Sequence, residues 1–447
     1  MVKRLRTTNP TRLDAVATDE AALTQLAAAL HAVGLREPHC TRLSKGWKGA
    51  AALGRQVSDG VLLLTADEGI SPAVLSAVRE IGGAGGMVGV WTGAEDPTGT
   101  APGEQWIGEQ LLFQEGAVLS PYLAPLAVAL RLHRAGVRDF VSGVSLQGKQ
   151  NAVWKRLSEA LSAAGFETRS GKKGFALVVD AAGNVFPENR DIDVALGEPK
   201  VVVEGMKLLA GRRGRPSPDI DAYPVSREDV DLIAQPPPRL LSEIASKKLF
   251  AAFGLLPPFE QLCRSPSEAA RVAAGRPGTC VMKLVKPRLE NKQDAGAVLL
   301  GIEGTAAARR AAQVLDSLGT AMGPPEALGV LTAEEISGGL RLSLRMLRHP
   351  RFGRLVVIEK GDRPSGRPCI LLRAPVDANC VCAALRREHL SSDENAIKKI
   401  GVAVSRFSEM IGELKGRICR AEIHPLVAAD AYPDALVLDA LAEVGPD

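Results

Sequence analysis

The feature that most limits what this chain of 447 residues can become is the stretch 281–298, VMKLVKPRLENKQDAGAV. An apolar approach, Thr279-Cys280-Val281-Met282, delivers Lys283. A Lys-Pro turn and a polar loop then carry Lys292 and Asp294, and a second apolar run goes from Ala297 to Ile302 after Gly296. The pattern predicts a strand, a charged loop and a strand. A lysine that ends a buried strand needs an anion, and a compact ammonium suits the non-bridging oxygens of a polyphosphate. A solvated hairpin loop is the competing reading of the same residues.

Length leaves room for about two to four domains, because single cores stop growing near roughly 250–300 residues. With 46% hydrophobic and 24% charged residues the chain reads as globular. Its net charge of +4 is too small to argue for nucleic acid, which wants a concentrated basic face. The seven cysteines (40, 263, 280, 369, 380, 382 and 419) are odd in number, show no C-x-x-C spacing and read as free thiols in a reducing compartment. Cys380-Val-Cys382 alternates on a strand-like step and reads as packing. No apolar run approaches the ~20 residues of a membrane span, and the first residues lack a signal-peptide core, so a cytoplasmic protein without a membrane partner is expected.

The first half alternates. An Ala/Leu-rich helix covers 19–33, within an N-terminal helical segment taken as 1–56. GVLLLTAD, a helix over 71–81 and GGMVGVWTG then predict a parallel sheet wrapped by helices. The acidic loop Asp67-Glu68-Gly69 before a Ser-Pro helix start opposes a phosphate and reads as structural. A second unit follows: a helix over 121–135, a strand over 136–144, a Ser145-to-Asn151 turn, a helix over 149–164 and the strand GFALVVD. Gly, Pro and charge dominate 211–231, marking a linker whose Arg212, Arg213 and Arg215 are solvated or meet an acidic ligand.

The helical stretch LSEIASKKLFAAFGLLPPF, stopped by Gly254 and followed by prolines, precedes the central lysines. Through Glu243, Lys247, Lys248, Gly254 and Pro257 it resembles the opening of the ATP-grasp domain of nucleoside-diphosphate-forming acyl-CoA synthetases, the group of the succinyl-CoA synthetase β subunit and acetate–CoA ligases. The central stretch is similar to that family's K-x-x-S-P-x-x-x-H-K-S-D-x-G-G signature. It matches at Lys283, Pro287, Lys292, Asp294 and Gly296 and departs at Lys286, Asn291 and Ala297. GGLRLSLRMLRHPRFGRLVVIEKGDR resembles G-x-E-[LIV]-x-[LIV]-G-x-x-x-D-P-x-F-G-P, with Arg341 for the Glu, Arg345 for the Gly and His349 for the Asp. Arg341, Arg345 and Arg348 alternate in a way that presents cations to an anion. The later Gly-rich loop is replaced by Glu359-Lys360-Gly361-Asp362, and lost loop glycines restrict close backbone approach to phosphates.

The resemblance implies a site. Lys247 and Lys283 would hold ATP, with Glu334 facing the nucleotide and Glu335 solvated on the other side of the strand. Lys292 and Asp294 would be the catalytic pair. CRAEIHPLVAADAYPDALVLDALAEV is similar to the family's E-[IL]-N-P-L strand and the following Asp, which makes Glu422, His424 and Asp439 the metal set for Mg²⁺ or Mn²⁺; His in place of Asn is a softer ligand. A packed strand residue is the other reading of His424. Coenzyme A is the implied co-substrate. Such enzymes join a small-molecule carboxylate to coenzyme A through an acyl-phosphate, often relayed by a phosphohistidine. None of the six histidines (31, 39, 133, 349, 389, 424) sits in a Gly-rich turn of that kind.

The expected architecture is α/β: a flavodoxin-like, doubly wound CoA-ligase-type region over 57–210, the linker, and an ATP-grasp α+β domain over 232–447. The expected function is an acyl-CoA synthetase acting on a carboxylate or acyl-CoA, alone, as a homo-oligomer or with a partner subunit. The alternative is a non-catalytic ATP-grasp protein that binds nucleotide, coenzyme A or a partner subunit.

Overall fold

A computed structural model describes residues 13–17, 20–33, 35, 39–42, 61–65, 72–84, 86–92, 104–134, 137, 144–164, 166–169, 175–188, 195–210 and 239–445, the last apart from 276, 277, 288, 290, 291, 326 and 363–367. The chain divides into two compact units, Met1–Arg215 and Pro216–Asp447. The expected linker at 211–231 lies outside the described residues.

In the first unit, β1 (Leu13–Ala17), α1 (Glu20–Ala32), β2 (His39–Arg42), β3 (Val61–Thr65), α2 (Pro72–Gly83), β4 (Met87–Trp91), α3 (Glu104–Gln114), β5 (Val118–Ser120) and α4 (Leu123–Arg134) follow in order. The five strands form one all-parallel sheet in the order β2-β1-β3-β4-β5. Met87, Val88 and Val90 are buried, as strands covered on both faces require. The helical segment expected over 1–56 is therefore corrected, since β1 and β2 come from it and pair into the sheet. Strands of five and four residues between polar neighbours give too short a period to read.

A second sheet takes β6 (Val144–Gly148), β7 (Thr168–Arg169), β8 (Phe175–Val179) and β9 (Val185–Pro187) in the order β7-β6-β8-β9, with α5 (Ala152–Ala163) and α6 (Pro199–Ala210). The turn expected to begin at Ser145 is instead strand, because residues 144–148 pair in register with β8. Chain reversal waits until Asn151, whose Oδ1 accepts from the amides of Val153 and Trp154 at 3.0 Å and caps α5. The strand expected over 136–144 falls almost wholly outside the described residues.

The second unit is built on two antiparallel sheets. Its elements are β10 (Arg239–Leu240), α7 (Glu243–Ala251), β11 (Glu260–Cys263), α8 (Pro266–Ala274), β12 (Cys280–Val285), β13 (Val298–Ile302), α9 (Gly304–Ala321), β14 (Gly329–Glu334), β15 (Leu340–His349), β16 (Gly353–Lys360), β17 (Ile370–Arg373), α10 (Ala378–Arg387), α11 (Glu394–Glu413), β18 (Ile418–Ala428), β19 (Leu436–Val437) and β20 (Ala440–Val444). The small sheet runs β11-β14-β12-β13. The large one runs β10-β20-β18-β15-β16-β17, with β19 on β18.

Alternation decides which side chains reach the site. On β12, Cys280, Met282 and Leu284 enter a core with Ala269 of α8 and Leu315 of α9, which turns Val281 and Lys283 to the other face. On β15, Leu342 and Leu344 are buried on the side covered by α11, leaving Arg341 and Arg345 opposite. Cys380 and Cys382, expected on a strand, lie on α10. Asp377 caps that helix by accepting from the Cys380 amide at 2.9 Å, and a cap of this kind overrides a three-residue alternation. Among the described residues no helix is long and apolar enough to cross a membrane.

Candidate active site

The lysines meet a carboxylate, Glu243, that sequence reading counted among the residues of the resemblance but gave no place in the site. Ser242 caps α7 by accepting from the Ala245 amide at 3.3 Å, which places Glu243 in the first turn and aims it inward. Its Oε1 lies 2.8 Å from Lys247 Nζ and 3.0 Å from Lys283 Nζ, and its Oε2 lies 3.0 Å from Lys292 Nζ. Burial pushes the Glu243 carboxyl up, but the three ammonium groups outweigh it and hold the group well below the usual carboxylate range. Lys283 also donates to the Leu438 carbonyl at 2.6 Å. Lys292 donates to both carboxylate oxygens of Asp439 at 3.0 Å. Burial pulls Lys292 down, whereas Glu243 and Asp439 raise it above the ordinary lysine value.

Lys292 is delivered by a tight turn in which the amide of Ala297 donates to the Lys292 carbonyl at 2.7 Å and that of Gly296 to the Gln293 carbonyl at 3.0 Å. Gly296 has φ +67° with open space where a Cβ would stand, so the turn needs its backbone freedom and not its size.

These groups border a cavity of about 600 Å³ between the two sheets of the second unit. Six of the eight residues expected from the sequence line it: Lys283, Lys292, Glu334, Glu422, His424 and Asp439. Lys247 does not. Its side chain is 2% exposed and closed off by Glu243 and by Glu260 at 2.6 Å, so its expected place on the nucleotide is corrected to a buried structural pair. Asp294 is exposed on the turn and is not part of the lining, which corrects its expected catalytic position. Glu335, expected to be solvated, lines the cavity and accepts from the Gly301 amide at 2.9 Å. Glu334 accepts from the Tyr432 hydroxyl.

The expected metal set changes as well. Among the described residues no three His, Cys, Asp or Glu side chains converge to hold a metal ion. His424 directs Nε2 to Glu422 Oε2 at 2.9 Å, and its Nδ1 is buried without a hydrogen-bond partner. The imidazole thus orients Glu422, and no ring nitrogen is turned to the cavity as a ligand. Burial raises the Glu422 carboxyl, yet hydrogen bonds from His424 and Arg420 bring it down to about 2. Glu422 and Asp439 are two of the five carboxylates that border the cavity. That donor set fits Mg²⁺, which takes one or two carboxylates and completes its shell with phosphate oxygens and water.

Two departures from the family signature have local explanations. His349 Nδ1 accepts from the amides of Arg351 at 3.2 Å and Phe352 at 3.3 Å, holding the β15–β16 turn as an Asp would. Lys286 donates to the carbonyls of Gly323, at 2.5 Å, and Pro325, pinning a neighbouring turn. Asn291 lies outside the described residues.

Residues 234–363 match the ATP-grasp domain. This part of the chain is an ATP-grasp domain. Over 213 residues the chain is 24% identical to the ADP-forming 4-hydroxybutyrate–CoA ligase of Nitrosopumilus maritimus, covering 45% of this chain and 30% of that protein. Over 124 residues it is 28% identical to the ADP-forming acetate–CoA ligase I subunit beta of Pyrococcus furiosus, covering 28% of this chain and 53% of that one. The chain thus spans less than two thirds of the length of either relative. Among solved structures, Ca. Korarchaeum cryptofilum dinucleotide-forming acetyl-coenzyme A synthetase 1, in complex with coenzyme A, Ca-AMPCP and HgCl⁺, shares 22% identity and a TM-score of 0.41 over 46% of this chain and 93% of that chain. The cavity lined by Lys283, Lys292 and Asp439 lies in the same unit as the ATP-grasp match.

Proposed function

We propose that the ATP-grasp cavity holds the polyphosphate of ATP, and that the chain is the nucleotide-binding part of an ADP-forming acyl-CoA synthetase, which joins a carboxylic acid to coenzyme A through an acyl-phosphate. The single observation that carries this reading is the convergence of Lys283 and Lys292, from one stretch of sequence, and Asp439, 147 residues beyond Lys292, on one cavity between two sheets. The two ADP-forming CoA ligases among the relatives support the reaction class.

In this reading Lys283 and Lys292 contact phosphate oxygens, Glu334, steadied by Tyr432, faces the nucleoside, and Glu422 and Asp439 take the nucleotide's Mg²⁺. Bound Mg²⁺ would neutralise charge on the phosphates. Lys247 and Glu260 keep Glu243 in place behind the lysines. The first unit fits the flavodoxin-like, CoA-ligase-type part, since its parallel order β2-β1-β3-β4-β5 is the doubly wound order of such sheets. The reading includes a partner subunit or a second copy of the chain, as the name of one relative, a ligase subunit beta, suggests.

Calorimetric titration of the full chain with ATP, with and without Mg²⁺, tests this. Lys283→Gln should weaken ATP binding by about 1.5–3 kcal/mol, the range for a lost charge-assisted bond. Unchanged affinity in that variant retires the assignment, and absence of ATP binding in the wild type retires the function.

A further inference from the structure

We infer that Arg345, supported by Arg341, forms a second anion site in the cavity, built to grip the terminal phosphoryl group of a nucleoside triphosphate. The inference rests on the reading of the cavity as a nucleotide site. It concerns residues that stand where the family signature carries a Gly and a Glu, so it does not follow from the resemblance.

Arg341 and Arg345 lie four residues apart on β15, on the face turned away from α11, and both line the cavity with Lys283 and Lys292. Arg341 is held firmly: its Nη2 donates to the Ile336 carbonyl at 3.0 Å, and its Nε lies 3.4 Å from Asp362 Oδ1. Arg345 is held by one edge. Its Nε donates to Glu359 Oε1 at 3.3 Å, and Glu359 is itself 1% exposed and therefore a fixed anchor on β16. Among the described residues the two terminal amino groups of Arg345 make no hydrogen bond. A guanidinium fixed through Nε presents those two donors in one plane, a geometry that matches two oxygens of a phosphoryl group.

The nearby carboxylates do not use up this donor pair. Glu422 is the cross-strand neighbour of Arg345 but is engaged by Arg420 at 2.7 Å and His424 at 2.9 Å. The lysines, by contrast, each have a carboxylate within 3.0 Å. One wall of the cavity thus carries cations already matched by protein anions, and the other carries a fork with unfilled donors. A chain of phosphates running from the lysines ends on the arginine wall, which makes Arg345 a discriminator between tri- and diphosphate.

Titration calorimetry of the full chain with ATP, ADP, inorganic phosphate and acetate tests the site on the wild type and on Arg345→Ala, Arg345→Lys and Arg341→Ala. Arg345→Ala should lower ATP affinity about 10-fold while changing ADP affinity less than about twofold; Arg345→Lys, which keeps the charge without the fork, should fall between. Equal losses for ATP and ADP, no loss, or a loss confined to acetate would overturn the inference. Should Arg345→Ala fail to fold, Arg345→Lys and Arg345→Gln carry the same ATP-to-ADP comparison. A wild type that binds neither nucleotide ends the nucleotide reading. In that event phosphate binding abolished in the Arg345 variants would still support the anion site, and its persistence would overturn it.

Discussion

Glu243 stands among Lys247, Lys283 and Lys292, and nothing in its local sequence announces that role. An acidic residue in the first turn of a helix is ordinarily accounted for by the positive end of the helix dipole. The lysines were legible because a cation in an apolar strand demands an explanation, whereas the carboxylate that satisfies them is 40 residues from Lys283. Glu243→Gln leaves buried ammonium groups without their shared counter-ion and should cost about 3–5 kcal/mol of stability, measured by urea unfolding at neutral pH. A loss below about 1 kcal/mol would mean that the lysines are not dependent on it. Glu422 gives a pH signature. Its carboxyl sits at about 2 in the folded chain against an ordinary 4.5, so its contribution is complete above 4.5 and fades as pH falls towards 2. The gap in urea midpoint between wild type and Glu422→Gln should therefore be widest near neutrality and close across that window; a gap independent of pH would contradict the pairing with Arg420 and His424. His349 teaches the reverse lesson: the signature Asp is gone, yet an imidazole nitrogen accepts the same kind of backbone donors and the turn persists.

Elements longer than about five residues with a clear period were readable from the sequence, and α1, α2, α4, β12 and β18 fall where the patterns put them. What escaped was short or decided from outside. The two-residue strands β10 and β19 exist only because β20 and β18 offer them partners. The Cys380 segment became helix through the side chain of Asp377. The turn that presents Lys292 is the element on which the site most depends, and its glycine is required for conformation. Gly296→Ala forces a left-handed backbone on a residue with a Cβ, at about 1–2 kcal/mol. That strain should lower the melting temperature and weaken ATP binding together. A variant that loses stability but binds ATP as tightly as wild type would show that the turn does not position Lys292.

At the scale of the whole chain, the pairing order of the strands was the least legible layer, because contacts such as β10 with β20 join opposite ends of the second unit and leave no periodic trace. The cavity inherits that difficulty: its lining comes from strands, turns and a loop spread over residues 258–441. Hydrogen exchange of the intact protein with saturating ATP should slow exchange in 280–298 and 436–444 and leave the sheet of β1 to β5 unchanged. Protection confined to that parallel sheet would move the nucleotide to the first unit. Lys283 and Lys292 come from the small sheet and its turn, and their partners Leu438 and Asp439 lie between β19 and β20 of the large one. The same two ammonium groups therefore stitch one sheet to the other. Whatever engages those ammonium groups is therefore felt on both sheets at once, because each lysine is rooted in the small sheet or its turn and ends on a partner held by the large one.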